Sequence, residues 1–239
     1  MSTSELPHDT HADWQRAAWI GASCLTVLLL ADAGIVASML TGSGLAVWDV
    51  PVHQAFLAVR TPTMDALVTG FTNLGQTVPM EIMAVLLLTA LYLRYRRWSI
   101  WGLPILTAVG SVSITEGLKL VFTRPRPAFP EAVPPLEHSF SFPSGHTLNS
   151  TAIAGILAYL TVWLARRVWV KVAAVIAAIC WAVLMGLSRL YLGHHWLTDV
   201  TAGWVTGLAW LVIVVTIHQA ATRRDPQLDP GPQPRAASA

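Results

Sequence analysis

The apolar positions of this chain gather into six long runs separated by shorter polar connections. They cover approximately 19–40, 70–93, 100–122, 147–165, 169–188 and 200–218. Each is near the ~20 residues that a helix needs to cross a hydrocarbon core. The second run is broken by Gly75, Pro79 and Glu81, which predicts a shorter span preceded by an interfacial helix over 63–74. No repeat of the solenoid type is visible. The expected fold class is all-α, a six-transmembrane-helix bundle.

Composition agrees with the pattern. The chain of 239 residues is 54% hydrophobic and 12% charged, against roughly 25% charged in an ordinary soluble domain. A net charge of +2 gives no footing for a nucleic-acid partner. Cys24 and Cys180 lie inside apolar segments without paired spacing, so packing is expected of them rather than a disulfide or zinc. Residues 1–18 contain Glu5, Asp9 and Asp13 against a single Arg16, so a basic signal-peptide start is missing. The run from Trp19 to Leu40 reads as a retained anchor.

Basic residues orient the bundle. "RYRR" (94–97), "RRVWVK" (166–171) and "RR" (223–224) follow spans two, four and six. The other connections hold only Arg60, then Arg124 and Arg126, then Arg189. The positive-inside rule puts the first set and both termini in the cytoplasm. The expected organisation is a cytoplasmic segment over 1–18, a six-span domain over 19–218 and a disordered cytoplasmic tail over 219–239. Trp98, Trp101, Trp163, Trp169 and Trp196 near span ends predict an interfacial belt.

The connection at about 123–143 is proline-rich and longer than the ~12–15 residues beyond which loops are usually functional or disordered. It joins three polar groups at the outer ends of the spans. "KLVFTRPRP" carries Lys119 and Arg126, "PSGH" runs from Pro143 to His146, and "SRLYLGHHWLTD" carries Arg189, His195 and Asp199. Singly each has a plain structural explanation. Lys119 and Arg189 snorkel, Pro143-Ser144-Gly145 starts a helix, and His195 sits at the interface. Two histidines and three cations on one side of one membrane protein are not explained that way.

The chemistry points to phosphate. Lys119, Arg126 and Arg189 make an anion clamp, and guanidinium forks match phosphoryl oxygens. Ser144 and Gly145 precede an apolar helix, so backbone N–H groups and the helix dipole can face the same anion. Two histidines supply a nucleophile and a proton donor. Asp199 follows His195 by four residues, so on a helix beginning there the carboxylate can orient the imidazole.

At these residues the chain resembles the type-2 phosphatidic acid phosphatase superfamily, the lipid phosphate phosphatases. The pattern K-x6-R-P, P-S-G-H and S-R-x5-H-x3-D is complete, and the resemblance covers roughly 60–218. It implies His195 as nucleophile of a phosphohistidine, Asp199 as its orienter and His146 as proton donor to the leaving oxygen. It implies phosphate binding by Lys119, Arg126, Ser144, Gly145 and Arg189, no metal or cofactor, and extracytoplasmic catalytic loops. The expected substrate is a lipid phosphate in the bilayer: a polyprenyl diphosphate, phosphatidic acid or phosphatidylglycerophosphate.

Spacing alone selects His195 over His194 and Arg126 over Arg124. His194 is expected to stand behind the site or to be exposed. Asp32 and Glu81 lie within spans and receive no role, and His8, His11, His53, His138 and His218 match no pattern. Vanadium haloperoxidases share the constellation but are soluble, against six spans here. A lipid phosphotransferase and a non-catalytic lipid-binding protein stand as alternatives. Oligomeric state is not legible.

Overall fold

The structure, a computed structural model, describes residues 10–95, 99–128 and 132–224. These form α1 (Thr10–Thr41), a 3₁₀ turn (Gly44–Trp48), α2 (Asp49–Ala58), α3 (Pro62–Asn73), α4 (Thr77–Tyr95), α5 (Ser99–Phe122), α6 (Gly145–Leu164), α7 (Val168–Tyr191) and α8 (Leu197–Arg224). There is no strand among the described residues. Six of the helices carry stretches long and apolar enough to span a bilayer: Gln15–Thr41, Val78–Tyr95, Ile100–Phe122, Gly145–Leu164, Val168–Tyr191 and Leu197–Thr222. The broken second run resolves into α3 and α4. Thr61 starts α3 by accepting the Met64 N–H at 3.3 Å, with Pro62 behind it.

α6 is the central helix, with 56% of its span buried against 6% for α1. It packs on α5, α7 and α8, while α1 lies along α8. Small residues allow the closest contact. A Cβ on Gly203 would stand 3.0 Å from the Ser144 carbonyl, and one on Gly207 2.8 Å from that of Leu148. Two glycines one turn apart on α8 therefore seat the start of α6, as small residues do between membrane helices.

Alternation of direction brings the ends of α5 and α7 and the starts of α6 and α8 to one end of the bundle. The described parts of the 123–144 connection cover that end, and α2 and α3 flank it. α2 was not foreseen.

Some expectations need correction. α8 continues to Arg224, so 219–224 are helical; 225–239, residues 1–9, Trp98 and half of "RYRR" lie outside the described residues. Cys24 and Cys180 are free thiols on outward faces and are not packed inside. Of the described tryptophans expected in the belt, Trp169 is exposed. Trp101 and Trp163 instead pack on the cluster of Leu88, Ile100, Leu160 and Leu164. Trp196 lies against His53 and donates its indole N–H to the Pro125 carbonyl at 3.0 Å.

Candidate active site

Gly193 explains how the third motif is folded. α7 ends in a Schellman turn, with Gly193 N–H donating to Leu190 O at 3.1 Å and His194 N–H to Arg189 O at 3.1 Å. The turn needs φ of +72° at Gly193, a left-handed value that glycine adopts freely. It sends the adjacent histidines apart. His194 bonds the Val133 carbonyl through Nε2 at 2.7 Å and so fastens the covering loop. It is buried, not exposed, and burial with the nearby Arg189 lowers its pKa to about 4. His195 turns inward.

The His195 ring reports its own tautomer. Arg126 Nη1 lies 2.9 Å from His195 Nε2, and a guanidinium can only donate. Nε2 therefore presents its lone pair, and Nδ1 carries the proton. Nδ1 stands 3.5 Å from Asp199 Oδ2, four residues on. Burial first, then Arg126 and Arg189, hold the imidazole well below its ordinary pKa and keep it neutral.

Asp199 is wholly buried. Its Oδ2 accepts Ser141 Oγ–H at 2.5 Å and the Trp196 N–H at 2.9 Å. Its Oδ1 accepts Arg124 Nη1 at 2.5 Å. Arg124 also donates to Thr198 Oγ1 at 2.6 Å and, through Nη2, to Asp49 Oδ2 at 2.7 Å. Asp49 in turn accepts the Thr198 N–H and hydroxyl, each at 2.8 Å. The arginine that motif spacing set aside thus joins the start of α2 to the carboxylate behind His195.

The predicted phosphate ligands converge, with differences among them. Arg126 donates to Ser139 O at 2.7 Å and His194 O at 2.8 Å besides His195. Burial pulls its pKa down, opposed by Glu137 and Asp199. Arg189 bonds Thr72 Oγ1 at 3.1 Å and pairs with Glu137. Lys119 donates to Ser139 Oγ at 3.1 Å and Glu116 at 3.3 Å, and its Nζ is 3.8 Å from where a Cβ on Gly145 would stand. Gly145 opens α6, whose first turn no side chain caps. Ser144 donates its N–H to the Asp199 carbonyl at 3.0 Å, and its Oγ accepts Thr147 Oγ1 at 2.9 Å. His146 faces the pocket with Nδ1 3.6 Å from Glu137 Oε1, while its Nε2 is buried without a partner.

Sequence reasoning missed Asp49, Arg124, Ser141 and Glu137 here. For Ser141, nearness to "PSGH" was a signal; the others announce themselves only in three dimensions. Asp32 and Glu81 stay outside the site. Asp32 accepts Thr206 Oγ1 at 2.7 Å between α1 and α8, and Glu81 lines a cavity further along the bundle.

Fold and pocket define a membrane protein with arginines, a lysine and two imidazoles gathered at one end of its helix bundle. Comparison with known proteins makes the class specific. Residues 101–223 match the PAP2 superfamily. Phosphatidylglycerophosphatase B of Bacillus subtilis (strain 168) is 33% identical over 171 residues, 70% of this chain and 81% of its own length. An undecaprenyl-diphosphatase of Sulfolobus acidocaldarius is 33% identical over 129 residues, 52% of this chain and 57% of its own. The crystal structure of a transmembrane PAP2-type phosphatidylglycerolphosphate phosphatase from Bacillus subtilis aligns with TM-score 0.69 at 28% identity, over 82% of this chain and 94% of its own. The chain belongs to the PAP2 superfamily, and it is an enzyme of the phosphoric ester hydrolase class.

Proposed function

We propose that this enzyme hydrolyses a phosphate monoester or diphosphate of a membrane lipid through a phosphohistidine on His195. The observation that carries the reading is the Arg126 contact, which leaves His195 Nε2 unprotonated inside a cationic pocket. In the first step the Nε2 lone pair attacks phosphorus, and the P–O bond to the lipid breaks. The departing oxygen takes a proton from protonated His146. In the second step water attacks phosphorus and gives its proton to His146, and the P–N bond breaks. Arg126, Arg189, Lys119 and the first amides of α6 hold the phosphoryl oxygens, electrostatic stabilisation of the kind that dominates phosphoryl transfer. Ser144, whose hydroxyl accepts from Thr147 and keeps its own proton to donate, is a further ligand.

A lipid substrate is supported by a cavity of about 430 Å³ between α4, α5 and α6. Its lining is mainly apolar, with Val85, Leu88, Ile105, Val109 and Ile153 beside Glu81, and Asn149 in the wall lies one turn below Gly145. An apolar chain beneath the phosphate site fits this arrangement. Phosphatidylglycerophosphate and polyprenyl diphosphates are the first substrates to test, since relatives named for each are 33% identical to this chain over the matched residues.

Purified protein is expected to release phosphate from one or more members of such a lipid panel at an unchanged rate in excess chelator, with orthovanadate inhibiting. The site already concentrates cations where a metal-dependent phosphatase would hold carboxylates. Loss of activity in chelator, restored by a divalent ion, would sink the phosphohistidine route.

The site end faces away from the cytoplasm in this proposal, because "RRVWVK" and Arg223-Arg224 lie at the opposite end. The domain assignment follows: a six-span catalytic unit between two cytoplasmic ends. On a Cys24→Ser, Cys180→Ser background, Leu136→Cys is expected to react with an impermeant thiol reagent in intact cells, and Arg166→Cys only after lysis. The reverse pattern inverts the orientation.

A further inference from the structure

The anion site just described contains an anion of the chain's own. Glu137, on the connection between α5 and α6, reaches Arg126 Nη2 with Oε2 at 2.8 Å and pairs with Arg189 through Oε1. The same carboxylate lies 3.6 Å from His146 Nδ1 and 4.0 Å from His195 Nε2. These four partners are the ones that would surround a phosphoryl group. Beside the carboxylate, a small cavity bounded by Arg126, Pro127, Ala132, Glu137, Gly193 and His194 measures about 10 Å³, roughly the room of one water molecule.

The loop is fastened on either side of Glu137. Val133 donates its N–H to Leu192 O at 2.9 Å and accepts His194. Ser139 is held by Arg126 and Lys119, and Ser141 N–H donates to Arg124 O at 2.8 Å. The carboxylate is thus tethered by the loop and partly exposed.

We propose that Glu137 is a specificity-determining residue, a tethered competitor that phosphate monoesters and diphosphates displace and phosphodiesters do not. The proposal rests on the reading of this pocket as the phosphate site. A phosphodiester headgroup offers one negative charge and two free oxygens, no more than the carboxylate already there. Glu137 also competes from a short tether, at an effective concentration of about mM or above. A phosphate monoester brings about −1.5 to −2 charges and three acceptor oxygens. It can engage both arginines and the start of α6 together. Bulk membrane lipids are largely phosphodiesters, so a site opening at the bilayer surface gains selectivity from such a rival.

The test compares wild type with Glu137→Gln and Glu137→Ala in detergent micelles. The measurements are KM and kcat for a short-chain phosphatidic acid, the Ki of orthovanadate, and inhibition by phosphatidylglycerol. Both variants are expected to show KM and vanadate Ki lowered about tenfold with kcat within about twofold, since only ground-state competition is lost. Inhibition by phosphatidylglycerol should strengthen by more than the monoester KM falls, about a hundredfold over wild type, so that the preference for monoesters shrinks; equal shifts for the two lipids overturn the proposal. Unfolding gives a second readout: inorganic phosphate or vanadate should raise the Tm of the variants more than that of wild type. Unchanged KM and Ki overturn the proposal, and so does a fall in kcat at constant KM, which would make Glu137 a proton carrier. Wild-type protein that neither hydrolyses lipid phosphates nor binds vanadate fails the site reading itself. Activity with Ki insensitive to Glu137 fails only this inference.

Discussion

Protein denatured during turnover of a labelled lipid phosphate is expected to carry acid-labile phosphate, and His195→Ala protein none. The alanine variant lacks the nitrogen that the Arg126 contact leaves unprotonated in the pocket, so its activity should fall to background with every substrate. His146→Ala should behave differently. It removes a proton donor, a contribution worth ~10²–10⁴-fold in rate, and the deficit should shrink with a nitrophenyl phosphate, whose leaving oxygen needs no proton. Because His146 also takes the proton of the attacking water, this variant should accumulate the phosphoenzyme from the activated substrate. Asp199→Asn should fall between the two, since Nε2 remains while control of the Nδ1 proton weakens. Phosphate trapped on folded His195→Ala protein would name the wrong nucleophile. His194 would then be the next to test, since its Nε2 donates to the Val133 carbonyl and its Nδ1 is left without a partner.

The parts of the molecule that were legible in the sequence are those fixed by local pattern. Apolar length alone located all six spans, and the glycine and proline interruptions near 75–81 separated α3 from α4. Motif spacing brought Lys119, Arg126, His146, Arg189, His195 and Asp199 to one end, because helices alternate direction. What stayed hidden depends on partners far apart along the chain. Asp49 reads as one acid after the first span until α2 carries it to Thr198, 149 residues later. Glu137 reads as a loop acid until the covering connection folds down on Arg126 and Arg189. The two histidines of "GHH" cannot be told apart by residue type. A left-handed glycine before them decides which faces the loop and which faces Arg126 and Asp199.

Arg124 is where the second large effect is expected, although spacing gave it no role. Its guanidinium is the link between two buried carboxylates, Asp49 and Asp199. Removing one partner of a buried ion pair leaves the other charge uncompensated, which costs about 3–5 kcal/mol. Arg124→Met should therefore lower Tm and also reduce kcat, because Asp199 loses the bond that fixes Oδ1 while Oδ2 still faces His195. A misplaced orienting carboxylate should cost at least ~10²-fold, within the range of the general acid–base contribution it supports. Arg124→Lys keeps the charge, yet one ammonium cannot reproduce a planar fork that meets Asp49, Thr198 and Asp199 together. It should recover more of the stability than of the rate. Adding Asp49→Asn to Arg124→Met removes one of the stranded charges, so Tm should rise again while kcat stays low. That split separates positioning from folding: parallel recovery of Tm and kcat in the double variant would mean that Arg124 serves the fold alone, and an unaltered kcat in Arg124→Met would detach it from Asp199 altogether.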